Sequence, residues 1–232
     1  VIISKSFTGF FFDDQKAIKK GAINDGLFYV GKPEIEGFTT IRQKGEAISI
    51  QLVLENGLVG YGDCAAVQYS GTGGRDPLFL ADDYIPFIEK EIKPLLIGES
   101  VDTFKNMAEK YDRMKINGKR LHTAIRYGLT QALLSATAIN QHVTMAEVVR
   151  KEYGIDEAVY SPVPVFTQSG DDRYTNVDKM IMKEADVLPH ALINNVETKL
   201  GMNGEILIKY IDWLKNRILT YRTNKDYYPV IH

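Results

Sequence analysis

The chain has 232 residues, with 28 Lys and Arg against 30 Asp and Glu and a formal charge of −2. That length holds one large domain or two smaller ones with real cores, and the near-balanced charge advertises neither nucleic acid nor an anionic membrane as a partner. No apolar run is long enough to span a bilayer, VIISKSFTGFFFDD has no signal-peptide layout, and the single Cys64 excludes an internal disulfide and fits a reducing cytoplasm.

Residues 1–64 read as β-rich. Ile2-Ile3 and Phe38 to Ile41 are candidate strands of one antiparallel sheet, and Phe10-Phe11-Phe12 is core at a strand end or an aromatic loop lip. Glu46 to Leu54 alternates strictly, placing Ile48, Ile50, Leu52 and Leu54 on one face. Asn56-Gly57 then offers the positive φ angles of a tight hairpin turn, and Leu58 to Cys64 returns. Residues 69–77, YSGTGGRDP, are glycine-rich but lack the Gly-Lys-Ser/Thr of a phosphate cradle and the third Gly of a dinucleotide fingerprint. They read as a plain connector or a lid.

From Asp82 the pattern turns helical. Tyr84, Ile85, Ile88, Ile92 and Leu95 share a face, with Pro86 placed in the first turn and Pro94 and Gly98 as the stop. A second helix starts near Thr103, carries Phe104, Met107, Ala108, Tyr111 and Met114, and stops at Asn117-Gly118. A third, Leu121 to Gln141, has small residues suited to close packing against a helix or the sheet. A fourth opens on a Thr144/Glu147 capping box and ends at Gly154. Sheet first and helices after make an α+β domain, residues 1–158.

Residues 159–232 follow a different grammar. A buried strand, Val163 to Phe166, delivers Gln168, Ser169, Asp171, Asp172 and Arg173 at its carboxyl end. A helix near Asn176 to Lys183 leads to Val187-Leu188 and His190. A long helix follows, with Asn203 as N-cap, Leu207, Tyr210, Ile211, Leu214, Ile218 and Tyr221 on one face, and Arg217, Arg222 and Lys225 suiting its C-terminal dipole. Tyr228 to His232 is a strand barely begun. Strand, helix, strand, helix, strand is the start of a parallel α/β barrel, whose chemistry gathers at the carboxyl ends of the strands. With no initial Met and an unfinished strand at its end, the chain is expected to be a fragment of a longer protein.

Five blocks carry a resemblance: TGFFFDDQKAIKKGA (8–22), GDCAAVQYSGTGGRDPLFLA (62–81), NGKRLHTAIRYGLTQA (117–132), PVPVFTQSGDDRYTNVDKMI (162–181) and KEADVLPHALINNVE (183–197). They closely resemble methylaspartate ammonia-lyase, a family of the enolase superfamily. The resemblance implies an α+β capping domain followed by a TIM-like (β/α) barrel. It also implies reversible elimination of ammonia from 3-methylaspartate to mesaconate, a step of glutamate degradation, with Mg²⁺ and K⁺ as cofactors, and a cytoplasmic homodimer. The proton removed is weakly acidic, so the family stabilises a metal-bound enolate while a base takes the proton.

By the same resemblance, Gln168 and Gln68 bind substrate, and His190 is a catalytic acid/base or polar stabiliser. The lysine base and three carboxylate metal ligands lie beyond His232, the first an aspartate two residues on, so no metal ligand is expected here and this chain alone is expected to be inactive. Asp171 and Asp172 point opposite ways on extended backbone and shape the loop instead. Two alternatives stay open: another enolase-superfamily reaction, or a non-catalytic capping or interaction module. Plainer roles are expected elsewhere: surface or packing roles for His122 and His142, a structural role for His232, buried packing for Cys64, ion pairs for Arg120 and Arg126, and a solvated face for Lys19-Lys20.

Overall fold

The computed structural model describes residues 1–155, 162–170, 172–190, 193 and 196–232. The chain forms two compact units, Val1–Glu157 and Ala158–His232, and each has its own buried apolar cluster. The expected junction between 158 and 159 falls outside the described residues.

The first unit opens with β1 (Ile2–Asp13), the short helix α1 (Gln15–Lys19) and a hairpin of β2 (Ile23–Asp25) and β3 (Phe28–Val30), before β4 (Arg42–Val53) and β5 (Val59–Ala65). β4 is central, with β1 and β5 antiparallel on either side. The strict alternation of β4 buries Ile48, Ile50 and Leu52 together. β1 extends well past Ile2-Ile3, and its register shifts between Phe7 and Phe11. The phenylalanine triplet is thereby divided: Phe12 is 1% exposed in the core, whereas Phe10 is 74% exposed. Phe38 to Ile41 is not a strand. Phe38 and Ile41 are still buried as core plugs, while Thr39 N–H donates to Gln43 Oε1 at 3.0 Å and Thr40 Oγ1 to Arg42 O at 2.8 Å, local bonds that replace a ladder.

The two Asn-Gly pairs differ from expectation. At the β4–β5 connection only Gly57 has positive φ, at 81°. Gly57 N–H bonds to Leu54 O, and Leu54 N–H to Leu58 O, which makes a three-residue loop with glycine at the left-handed position. The turn with both residues at positive φ is Asn117 (52°) and Gly118 (76°), and it joins two short strands rather than stopping a helix.

After β5 come α2 (Ala81–Phe87), a π-helical turn Ile88–Ile92, and α3 (Lys93–Leu96). Pro86 lies beyond the first turn, contrary to expectation, and the helix continues past Pro94 to Leu96. Pro94 has no N–H to return to the preceding turn, and Lys93 N–H bonds five residues back to Ile88 O, so the ladder widens to a π turn instead of ending. Next are α4 (Phe104–Asp112), the hairpin β6 (Lys115–Ile116) and β7 (Lys119–Arg120), α5 (Thr123–Asn140) and α6 (Met145–Glu152). α4 thus ends short of Asn117. α6 has the full Thr144/Glu147 capping box, and Glu152 accepts Phe104 N–H at 2.8 Å at the start of α4, where Thr103 makes no side-chain cap bond.

The small residues of α5 pack on the sheet. A Cβ on Gly60 would lie 2.5 Å from Ala136 N, and one on Gly62 would collide with Gly128 O. Helix and strand backbones approach this closely because the strand carries no side chain at the crossing and the helix carries only Gly128 and the methyl groups of Ala132 and Ala136.

The second unit contains α7 (Arg173–Met182), β8 (Val187–Leu188), a π-helical turn Val196–Leu200, α8 (Glu205–Tyr221) and β9 (Val230–Ile231). β8 and β9 are parallel, and Phe166 forms a parallel bridge with Val187. Three successive segments therefore run side by side in chain order, as the strands of a β/α barrel do. The expected buried strand Val163 to Phe166 shrinks to that bridge, with Val163 86% exposed. Among the described residues its ladder bonds go to one neighbour only, Val187 N–H to Val165 O and Thr167 N–H to Val187 O, while Asp186 takes Val165 N–H.

Val177, Ile181, Leu188, Tyr210, Leu214 and Ile218 form the core between these helices and strands. Tyr221, expected on the apolar face of α8, is exposed. The N-cap of α8 is Gly204 at φ 78°, not Asn203, whose own N–H donates to Glu205 at 2.9 Å. Arg217 reaches across to Asp178 of α7 (2.6 and 2.7 Å) instead of serving its own helix end. Asp172 caps α7 by accepting Thr175 N–H, and Asp171 lies outside the described residues.

Candidate functional site

In the second unit the Phe166–Val187 and Val187–Val230 pairings place Gln168, His190 and His232 beyond the same carboxyl edge. His190 is half-buried, and its orientation is set by one acceptor. Its backbone N–H donates to His232 O at 2.7 Å, and Nδ1 lies 2.8 Å from the same oxygen. A carbonyl oxygen only accepts, so Nδ1 carries hydrogen and Nε2 is left with the lone pair. The ring can thus take or return a proton at Nε2 without releasing its anchor. His232 also sets its ring edge-on to Phe166 at 5.3 Å.

Gln168 is exposed, while its neighbour Ser169 is buried with an Oγ that has no partner among the described residues. A cavity of about 480 Å³ beside Gln168 is lined by Thr167, Asn176, Lys183 and Asp186 and runs toward the amino end of β8. His190 does not line it. The carboxyl edge, not this cavity, brings Gln168 and His190 to one side.

Gln68 belongs to the first unit, three residues after β5. Its backbone O accepts Asp13 N–H at 2.9 Å, and its Nε2 donates to Asp13 Oδ2 at 2.6 Å. Asp13, 1% exposed, also accepts from Arg42 through Nε at 2.7 Å and Nη2 at 2.8 Å. This bond to Asp13 holds the guanidinium pKa above its ordinary value. Gln68 lines a cavity of about 600 Å³ together with Phe7, Phe10 and Asp63. Asp13 and Arg42 drew no role in the sequence. The one available signal was an acidic pair directly after an aromatic strand end.

The glycine-rich loop closes on itself through Gly71 N–H to Asp76 O and is tied to the start of α5. Asp76 accepts Thr123 N–H at 2.6 Å. His122 is the N-cap of α5: Nδ1 accepts Ala124 N–H at 3.0 Å, which leaves Nε2 to donate to Pro77 O. Its ring packs against Phe79 and Tyr84, so packing wins over surface exposure. Arg120 and Arg126 both pair with Asp112. Burial pushes the Cys64 thiol up to about 12, which suits packing and not nucleophilic attack.

Among the described residues no three His, Cys, Asp or Glu side chains are grouped to hold a metal ion. The nearby acids are committed elsewhere: Asp172 to the α7 cap, Asp178 to Arg217 and Asp186 to Val165 N–H. These residues do not fit Mg²⁺. Among the described residues no helix is long and apolar enough to cross a membrane.

An α+β unit followed by successive parallel β/α segments is the opening part of an α/β-barrel architecture. A structure of muconate lactonizing enzyme shares this fold at 18% identity and a TM-score of 0.51, over 75% of this chain and 45% of its own. The family model for the methylaspartate ammonia-lyase N-terminus matches residues 1–154, and that for the C-terminus matches residues 157–232. The chain belongs to the methylaspartate ammonia-lyase family.

It is 64% identical to the Clostridium tetanomorphum methylaspartate ammonia-lyase and 55% identical to that of Citrobacter amalonaticus, covering 100% of this chain and 56% of each relative. The Clostridium enzyme, as a Mg complex, superposes with a TM-score of 0.94 over 100% of this chain and 56% of its own. The Citrobacter enzyme containing (2S,3S)-3-methylaspartic acid gives 0.95 over the same shares. The chain therefore spans little more than half the length of these relatives.

Proposed function

We propose that this chain supplies one part of a methylaspartate ammonia-lyase, which reversibly eliminates ammonia from 3-methylaspartate to give mesaconate. The observation that carries this reading is 64% identity sustained over the whole chain to an enzyme of that name. We assign residues 1–158 to the capping domain and 159–232 to the start of the barrel. Mg²⁺ and K⁺ are the proposed cofactors of the complete protein, with the carboxylate ligands and the lysine base assigned to sequence beyond this chain. Mg²⁺, when bound, stabilises the negative charge that develops on the substrate carboxylate. A cytoplasmic homodimer acting in glutamate degradation completes the reading.

On this chain Gln168 and Gln68 hold substrate and His190 exchanges a proton. A glutamine amide both donates and accepts without titrating, so it can receive a carboxylate or an amine at any physiological pH. His190 suits acid/base work because its free Nε2 faces away from the carbonyl that anchors Nδ1. The test uses the complete reading frame, supplied with Mg²⁺ and 3-methylaspartate, and follows mesaconate by absorbance. Turnover is expected, and its absence overturns the reading. His190→Ala and Gln168→Ala should each lower kcat/KM by about 10²-fold with little change in thermal midpoint. Wild-type turnover per folded molecule in both would remove these site assignments.

A further inference from the structure

We propose that Asp13 and Arg42 are positioning residues for Gln68: they fix which end of its amide faces the cavity. The inference rests on the reading of Gln68 as a substrate-binding residue and adds what holds that residue in place.

The two ends of a glutamine amide look alike in shape and differ in chemistry, so its orientation must come from its partners. An ionised carboxylate only accepts hydrogen bonds. At 2.6 Å from Asp13 Oδ2, the Gln68 atom must be the nitrogen. The flipped amide would set two acceptors against each other with no proton between them. Oε1 and the second N–H of Gln68 are thereby left for the cavity that Gln68 lines.

Asp13 can play this part only while its carboxylate is held still, and Arg42 holds it. The guanidinium takes both carboxylate oxygens, through Nε to Oδ1 and Nη2 to Oδ2, in the bidentate geometry that restricts rotation. Its remaining Nη1 donates to Leu27 O at 3.0 Å, in the β2–β3 connection. The same guanidinium lies 4.9 Å from the ring centroids of both Phe11 and Tyr29. A further bond, Asp13 N–H to Gln68 O, ties the two backbones. The result is a relay from the β2–β3 hairpin through Arg42 and Asp13 to one amide. A salt bridge serving stability alone would not require that the third donor on Asp13 be Gln68.

The test is a double-mutant cycle in the complete protein, with kcat and KM for 3-methylaspartate read separately and thermal melts used to normalise to folded molecules. Gln68→Ala should raise KM about tenfold or more. Asp13→Asn, which can offer either an acceptor or a donor to Gln68, should raise KM about tenfold in the wild-type background and less than about twofold in the Gln68→Ala background. Arg42→Lys keeps the charge but loses the bidentate grip and the ring contacts. It should follow the same pattern with a smaller effect, and it carries the cycle if Asp13→Asn fails to fold. If Gln68→Ala changes neither KM nor kcat, the substrate-binding reading of Gln68 falls. If Gln68→Ala is impaired but Asp13→Asn and Arg42→Lys cost the same in both backgrounds, the pair is structural only and the positioning inference is overturned.

Discussion

Asp14 shows how much one buried carboxylate can organise. It caps α1 by accepting Ala17 N–H at 3.0 Å and also receives Glu34 N–H at 2.5 Å and Ile35 N–H at 2.8 Å. Burial pushes its pKa up, but those backbone bonds outweigh it and hold the carboxyl below the ordinary carboxylate range. A depressed folded-state pKa contributes stability that is complete above the unfolded value, about 3.9, and is lost as pH falls through the lower folded value. Asp14→Asn should therefore lower the thermal midpoint at neutral pH and flatten the decline in stability below about pH 4. Melting curves across that range decide it, and an unchanged acid limb would contradict the assignment. Legibility at this scale divides by sequence distance. Gln168 and His190 stood out because each follows an apolar segment within a few residues. Asp13 did not, because Arg42 is 29 positions away and Gln68 is 55 away.

Local chemistry alone did not decide what several elements became. Both Asn-Gly pairs carry the same dipeptide, yet only Asn117-Gly118 forms the turn with two positive φ angles. Flanking register made the difference: β4 and β5 pair Val53 with Val59, which leaves room for a longer loop, whereas Ile116 pairs directly with Lys119. The features readable in advance were those whose cause lies within one element, such as the alternation of β4 and the capping box of α6. The strand at 163–166 was not, since exposure there depends on what lies beside it. Thr144→Ala should cost about 1 kcal/mol by removing the side-chain acceptor for Glu147 N–H, measured by denaturant unfolding. Gly62→Ala should cost more, about 2–3 kcal/mol, because its new methyl group meets the α5 backbone, which cannot swing aside as a side chain would. A Gly62→Ala protein as stable as wild type would mean that α5 and β5 are less closely apposed than described.

At the scale of the whole molecule, the order of elements was readable because each α/β unit announces itself by a change of hydrophobic period. Sheet then helices gave way to strand and helix in alternation; one family model ends at residue 154 and the other begins at 157. A cation site needs several carboxylates converging from separate strands, and among the described residues no such group forms. A ligand that binds only the folded state raises its stability in proportion to RT ln(1 + [L]/Kd), so Mg²⁺ binding has a readout that does not depend on turnover. The 232-residue chain should melt at the same temperature with and without millimolar Mg²⁺ and should form no mesaconate. The complete reading frame should show both a Mg²⁺-dependent rise in midpoint and turnover. A saturable Mg²⁺ shift in the 232-residue chain would show that this chain assembles a cation site of its own, and the assignment of the ligands to sequence outside it would then fail.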